Sequence, residues 1–436
     1  MPLGYSQQGK IDAAFNSYDD GLLGDGFDNA VRTVSLQADG KLIVGGDYLN
    51  FNGAETPYLC RLYSDGTKDM SFDLGTGFNA KVYASSIQPD GKIVLGGSFT
   101  AFNGLAAGRL IRLNTDGSRD ATFNTSIASN TGIIYATALQ PDGNIIIVGS
   151  FTKYNGITAN RLARILPDGN LDSTFNIGTG ASGLVEEVQI QSDGKILVAG
   201  SFDSFNGFPN SSKIIRLNSN GSVDATFAIG TGFNDTVTAL TLQPDGKILV
   251  GGIFTTYNGL LANRIVRLNP DGSIDASFIS GLGFNNGGVA VIQVNASGSI
   301  MVGGSFTDTY NGSDVNRLAL LNATGVINPM FDIGAGPFSA TVYSLVTDLD
   351  GSWYVGGSFS IFDSQNQGRL AKIDALGTLD VGYLTAGVGF DNSVVKILSL
   401  PNDSAMIFGN FTKFNGASVS RIARVFDNEI GRASCR

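Results

Sequence analysis

The sequence predicts an all-β protein, an eight-bladed β-propeller of four-stranded antiparallel blades whose ring is closed by the N-terminal strand joining the last blade. Three observations carry this expectation. A Phe/Tyr-Asn-Gly step recurs with its asparagine at Asn52, Asn103, Asn155, Asn206, Asn258, Asn311 and Asn415, with Asp363 in the remaining place, at intervals of 51 to 53 residues. Each interval holds paired turn signals of the Pro-Asp-Gly kind, flanked by apolar runs of strand spacing. The chain also begins with what its last copy lacks: Gln8–Phe15 matches Gly272–Phe278, whereas the eighth copy stops after Arg421–Val425.

The fifth copy, Gln243–Phe278, is the most regular. In Gln-Pro-Asp-Gly and Asn-Pro-Asp-Gly, proline presets φ for a type I turn and glycine accepts the left-handed conformation that closes it. The spacing predicts strands over Val237–Gln243, Lys247–Phe254, Arg264–Asn269 and Ser273–Phe278, with a longer loop, Thr255–Asn263, between the second and third. A four-stranded meander of this period is a propeller blade, whereas a β-solenoid repeats at about half the length. Joining the first strand to the last blade removes the exposed edge. Residues 1–428 are expected to form this single domain.

Composition agrees. The chain has 436 residues, 42% hydrophobic and 59 of them glycine, and no segment sustains a 3.6-residue apolar period. A formal charge of −10 argues against nucleic acid, which is held mainly by clustered Lys and Arg. The absence of histidine removes the commonest general base and most zinc sites. Two cysteines, Cys60 and Cys435, make no disulfide framework, and Cys60 is expected to be a buried small apolar residue. The N-terminal MPLGYSQQGKIDAAF shows no signal peptide, and no apolar run approaches the ~20 residues of a membrane helix, so no membrane insertion is expected. The final EIGRASCR, residues 429–436, resembles a translated sequencing adapter and is expected to be non-native, the true C-terminus and any further domains lying beyond it.

One internal interaction is legible. Third strands carry Arg61, Arg112, Arg164, Arg216, Arg267, Lys372 and Arg424; fourth strands carry Asp69, Asp120, Asp172, Asp224, Asp275 and Asp380, with Asp12 supplied from the N-terminus. A three-residue loop places Arg112 opposite Asp120. In the sixth copy both partners are replaced together, by Leu320 and Asn328, as a cross-strand ion pair requires. These charges are read as structural.

Written out, the repeat ϕxLQPDGKILVGGxFxxxNGxxxxRIxRLNxDGSxDxTF closely resembles the bacterial delta-60 repeat, over Gly9 to about Asp427. The resemblance implies a β-propeller array in secreted or surface-attached bacterial proteins, with similar repeats in phage proteins, and it brings no site residues. Copies seven and eight are degenerate at Asp348-Leu349-Asp350-Gly351 and Leu400-Pro401-Asn402-Asp403.

Several constellations compete for a role. The Asn-x-Asp-Gly-Ser-x-Asp loops, such as Asn114, Asp116 and Asp120, look like calcium loops, but the turn alone explains them; no metal or cofactor is expected. The aromatic series Phe51, Phe102, Tyr154, Phe205, Tyr257, Tyr310, Phe362 and Phe414 is suited to stacking on sugars, or to wedging between blades. Departures from the repeat are the better candidates, because the ring does not require them. Glu186 and Glu187 open an innermost strand where other copies hold Tyr83, Tyr135, Thr238, Ala239 and Tyr343, and Arg32 and Lys396 are the other charged exceptions. The variable loops after the second strand add Phe208, Asn210, Ser313 and Asp314.

The function expected is non-catalytic: a ring, monomeric or part of a larger chain, that binds a glycan or a partner protein in an extracellular or cell-surface setting. Two alternatives stand beside it, a virion or appendage component and a channel-centred hydrolase or lactonase using Glu186 and Glu187.

Overall fold

A computed structural model describes residues 12, 15–16, 26–124, 132–208, 212–338, 340–348, 350–381, 383, 389–400 and 404–426. Within them, eight antiparallel sheets of three strands follow one another along the chain, and no helix is present. In the fifth sheet the inner strand is Val237–Leu242, the middle Ile248–Gly252 and the outer Ile265–Leu268. The middle strand is buried along its whole length, because a sheet covered on both faces must be apolar on both.

The fourth strand is a correction. In Ser273–Phe278 only Ile274 bridges the outer strand, at Leu268. Asp275 is the reason. Its Oδ1 accepts from the Ser277 amide (3.0 Å) and hydroxyl (2.7 Å), and its carbonyl accepts from the Phe278 amide at 3.0 Å. A short polar side chain that bonds its own backbone competes with the strand ladder and wins here. The same single bridge recurs at Leu62–Lys68, Leu113–Arg119, Ile165–Leu171, Leu217–Val223, Leu321–Ile327 and Ile373–Leu379.

The loop Thr255–Asn263 is the second correction. It contains a two-residue hairpin, Thr256–Tyr257 against Leu260–Leu261. Asn258 and Gly259 both lie in the left-handed region, at φ 48° and 73°. That is the type I′ turn whose twist matches the flanking strands, and Asn-Gly is its strongest sequence signal.

The ion pairs form as expected and reach further. Arg112 Nε binds Asp120 Oδ2 at 2.7 Å, its guanidinium lies over the Phe123 ring, and its Nη1 donates to the Pro167 carbonyl of the next sheet at 2.6 Å. Arg61, Arg164, Arg216 and Arg267 repeat all three contacts, reaching Thr115, Ser219, Pro270 and Ala323. Each arginine therefore ties its own turn to its neighbour's. In the seventh sheet Lys372 also binds Asp348, at 3.3 Å. Cys60 is buried, with its thiol pushed up to about 12 by loss of solvent, against a lowering hydrogen bond from Tyr48.

The first and eighth sheets share one apolar cluster, in which Phe15, Phe27, Leu42 and Phe51 meet Met406, Phe408 and Ile422. Arg424 Nε binds Asp12 at 2.7 Å, the Asp12 amide donates to the Arg424 carbonyl at 2.9 Å, and Arg424 Nη1 donates to the Ser64 carbonyl. Of the segment Gln8–Phe15, only Asp12 and Phe15 are described, and the tail 429–436 lies outside the described residues.

Candidate functional site

Two sets of turns define two faces. The inner–middle turns and the turns after the outer strands lie at one end of the sheets; the hairpins and the starts of the inner strands lie at the other. The second grouping is fixed by contact. Phe27, just before the first inner strand, bridges Phe51 of the hairpin, and the Asp28 carboxylate accepts from the Leu49 and Asn50 amides at 2.9 and 3.2 Å.

Every inner strand begins with a bulge. In the fourth sheet Val185 pairs with Gly200 and Glu187 with Ala199, so Glu186 has no partner across the ladder. The glycine ending every middle strand makes this possible: a Cβ on Gly200 would sit 2.4 Å from the Leu184 carbonyl oxygen, and in five sheets a second glycine precedes it. A Cβ on Gly252 would sit 2.2 Å from the Thr236 carbonyl oxygen, and one on Gly251 2.5 Å from Val289 Cγ1. The extra residue bends the strand and re-aims its side chain. The sequence grouped all the inner-strand exceptions together; the bulge separates them. Arg32, Tyr83, Tyr135, Glu186, Thr238 and Tyr343 occupy the bulge, while Glu187, Ala239 and Lys396 follow it.

The inner strands stand side by side. Thr33 and Ser35 meet Ser85, Ser86 meets Thr137, Gln189 reaches the Leu240 carbonyl, and Ser344 accepts from the Ile397 amide. Bulge residues of adjacent sheets touch: the Tyr83 and Tyr135 rings are edge to face at 5.6 Å, and Arg32 lies 5.9 Å from the Tyr83 centroid. Arg32 is fully engaged, its Nε and Nη2 holding Asp47 at 3.1 and 2.6 Å, with Lys81 on the same carboxylate at 3.0 Å. Asp47 was missed in the sequence, although the comparison that exposed Arg32 would have found it. Other copies hold Ser98, Ser150, Ser201, Ile253, Ser305, Ser358 and Asn410 there.

Glu187 is reached by solvent yet is surrounded by protein. That surrounding protein raises its pKa, against lowering contributions from Gln189, whose amide donates at 3.3 Å, and from the charge of Lys396 in the eighth sheet. The structure thus brings Glu187 and Lys396 within electrostatic reach and leaves Arg32 with Asp47 instead. Because the folded pKa lies above the unfolded value near 4.3, the charged form costs stability at neutral pH, and the cost fades as pH falls to about 4. Glu187→Gln is therefore expected to raise Tm by about 1 °C at pH 7 and to leave it unchanged at pH 4, read by thermal denaturation at both.

Phe208, Ser313 and Asp314 are on the hairpins, and Phe208 is exposed; Asn210 lies outside the described residues. The aromatic series does not face solvent. All eight rings are buried, and the Tyr154, Tyr257 and Tyr310 hydroxyls donate to Gly169, Gly272 and Gly325 at 2.8, 2.6 and 2.6 Å. Sugar stacking on these rings is thereby ruled out. In the loops that look like calcium sites the oxygens are occupied: Asp116 Oδ1 accepts from Ser118, and Asp120 from Thr122, Lys92 and Arg112.

Comparison with known proteins gives the architecture a family. The family model described as "Domain of unknown function (DUF5122) beta-propeller" matches seven segments, 37–72, 88–123, 140–175, 191–227, 243–278, 296–331 and 349–383. It counts seven repeats where the Asn-Gly ruler counts eight copies; the sheet ending at Ile422–Phe426 is the one it leaves out. Similar solved structures include the extracellular domain of the one component system BT4673 from B. thetaiotaomicron, at 14% identity and TM-score 0.40, over 92% of this chain and 40% of that one. Catalytically inactive virginiamycin B lyase from Staphylococcus aureus is similar at 16% identity and TM-score 0.42, over 81% of this chain and 96% of that one. PorZ, a surface component of the type-IX secretion system of Porphyromonas gingivalis, is similar at 14% identity and TM-score 0.44, over 92% and 56%. The chain thus spans well under two thirds of the BT4673 domain and of PorZ. No curated protein matches it.

Proposed function

The chain belongs to the β-propeller family described as domain of unknown function DUF5122, and from that premise we propose that it is a closed eight-bladed ring that acts without catalysis, binding a partner through its hairpin face in an extracellular or cell-surface setting. The closure is supported by Arg421 and Arg424. Arg421 donates to the Phe27 carbonyl at 3.2 Å, just as Arg161 donates to Ala181 and Arg264 to Gly287 in the sheets that follow theirs. The last sheet thus treats the first as its successor.

One observation carries the binding role: the first five repeats differ from one another mainly on one face. The turns of the opposite face read QADGK, QPDGK, QPDGN, QSDGK and QPDGK in the first five copies. The hairpins of the same copies continue after Asn-Gly as AETP, LAAG, ITAN, FPNS and LLAN. A turn constrained only by its own geometry converges on the same residues, so divergence at the hairpins points to a surface used for recognition. The buried aromatic rings take away the main sugar-stacking feature and favour a protein over a glycan.

The test is a screen of displayed peptides and a glycan array with the full chain. Two hairpin-face variants are compared with an opposite-face control, Pro89→Ser with Pro141→Ser, which copies the serine at position 192 of the fourth repeat. One hairpin-face variant is Glu186→Thr with Glu187→Ala, copying Thr238-Ala239; the other is Ile157→Ser with Leu260→Ser and Leu261→Ser. A selected ligand is expected to lose at least tenfold in affinity with a hairpin-face variant and nothing with the control. Equal binding by all the variants overturns the reading, as does turnover of ester or lactone substrates that stops in Glu186→Gln.

A further inference from the structure

We propose that the hairpins of the second to fifth sheets, with Leu282 of the loop entering the sixth, form an apolar arc that docks a protein segment bearing large apolar side chains flanked by lysine or arginine. This deepens the binding role proposed above and rests on it.

The residue that follows each Asn-Gly turn projects from the hairpin tip. In four consecutive sheets it is large and apolar: Leu105, Ile157, Phe208 and Leu260. In the other four it is Ala54, Ser313, Gln365 or Ala417. Leu261 and Leu282 extend the series, and all six side chains are between 53% and 62% exposed. Isolated exposed leucines are ordinary, but a run confined to one side of a repeated structure is not required by the repeat.

The tips are joined rather than scattered. The loops entering the fourth, fifth and sixth sheets each bond both the hairpin before and the hairpin after. Thr179 accepts from Asn160 at 2.7 Å and donates its amide to Asn206 at 3.0 Å. The next such loop bonds Ser212 through the Phe233 amide (3.1 Å) and Asn258 through the Thr231 amide (3.2 Å). Leu282 accepts from Asn263 at 2.6 Å and donates to Asn311 at 3.3 Å, which seats it between the Leu260–Leu261 strand and the sixth hairpin. At roughly 100 Å² for each side chain, the six offer about 600 Å² of apolar surface, against the ~800 Å² that each partner contributes to a stable protein interface.

The charge around the arc selects the occupant. Asp203, Asp235 and Asp314 are exposed along it, Asp203 paired with Lys213, against Lys153, and the chain carries a formal −10. A second copy would set aspartates against aspartates, which costs affinity. Anionic lipid is attracted by lysine and arginine, which this surface lacks in number. A protein segment that alternates apolar and basic side chains satisfies both the apolar tips and the acidic flank.

The probe is a fluorescent 16-residue peptide alternating leucine and lysine, titrated against the full chain by anisotropy. Controls replace its lysines by glutamate or its leucines by serine. Wild-type protein is expected to bind the Leu-Lys peptide at least tenfold more tightly than either control. The triple variant Ile157→Ser, Leu260→Ser and Leu261→Ser is expected to lose at least tenfold with its Tm unchanged, because the three side chains are exposed. Equal binding by wild type and triple variant overturns the arc, as does equal affinity for the leucine-glutamate peptide. A concentration-dependent dimer in sedimentation, or binding to phosphatidylcholine vesicles, that is lost in the triple variant would replace the proposed occupant by a second copy or a lipid. If the arc fails while Glu186→Thr with Glu187→Ala still weakens a screened ligand, only this inference falls and the hairpin-face reading stands.

Discussion

Arg112→Ala is expected to destabilise the fold by about 3–5 kcal/mol, whereas Arg112→Leu combined with Asp120→Asn is expected to cost less than Arg112→Ala alone. The single change leaves Asp120, whose side chain is only 4% exposed, with Lys92 as its remaining cation, and it also removes the donor that reaches the Pro167 carbonyl of the next sheet. The double change copies the sixth repeat, where Leu320 is buried and Asn328 keeps the turn by accepting from the Met330 amide at 3.0 Å. The chain therefore already contains a working apolar substitute for the pair. Chemical denaturation of the two singles and the double closes the cycle. If each single costs no more than an ordinary surface substitution, about 0.5 kcal/mol, the arginine clasp does not hold the sheets together.

Acidification gives the same interaction an independent reading. Burial alone would raise the Asp120 carboxyl, but Thr122, Lys92 and Arg112 outweigh burial and hold it below the ordinary carboxylate range. Its folded pKa is thus lower than the unfolded value of ~3.9, so its contribution is complete above about pH 4 and is lost as pH falls through the folded value. The deficit of the double variant against wild type should shrink as the pH is lowered from 5 toward 2.

The parts of this fold that were legible in the sequence are those set by local chemistry repeated many times. Pro-Asp-Gly turns and the register of Arg112 against Asp120 each appear in several copies, so chance is averaged away. What was not legible depended on a local competition or on a distance. Ser273–Phe278 has strand spacing, yet Asp275 with Ser277 closes a turn there; Asp-x-Ser/Thr, present in the first five such segments, is the available signal. The second arginine that six repeats carry is not legible as a tie, because a partner such as Ala181 for Arg161 is a carbonyl some twenty residues on. Glu186 and Glu187 stand out in the sequence as exceptions, but their different tiers depend on a bulge whose signal is the glycine ending the opposing strand, Gly200. Leu260 was passed over because one exposed leucine means nothing until its neighbours in the ring are seen to match.

Deleting residues 1–16 is expected to lower Tm more than any single arginine substitution and to make the protein associate with itself. The deletion removes four things at once from the junction of the first and eighth sheets. Asp12 leaves Arg424 without its carboxylate, and Phe15 leaves the arginine's face and the apolar cluster. The Asp12 amide no longer covers the Arg424 carbonyl, and Asn16 no longer exchanges amide hydrogen bonds with Asn52 in the first hairpin. Each loss falls at the junction of the two ends of the chain, where no covalent connection helps. Elsewhere a broken contact between neighbouring sheets is re-formed easily because a short loop keeps them together; here the partners lie 412 residues apart, and reclosing carries a larger entropic cost. The outer strand Ile422–Phe426 would then present unpaired backbone groups, the ordinary route to edge-to-edge association. A synthetic peptide of residues 1–16 added in trans should restore Tm and the monomer. A truncated chain that melts with wild type and sediments as a monomer would show that the direct packing of Phe27, Met406 and Phe408 closes the ring unaided.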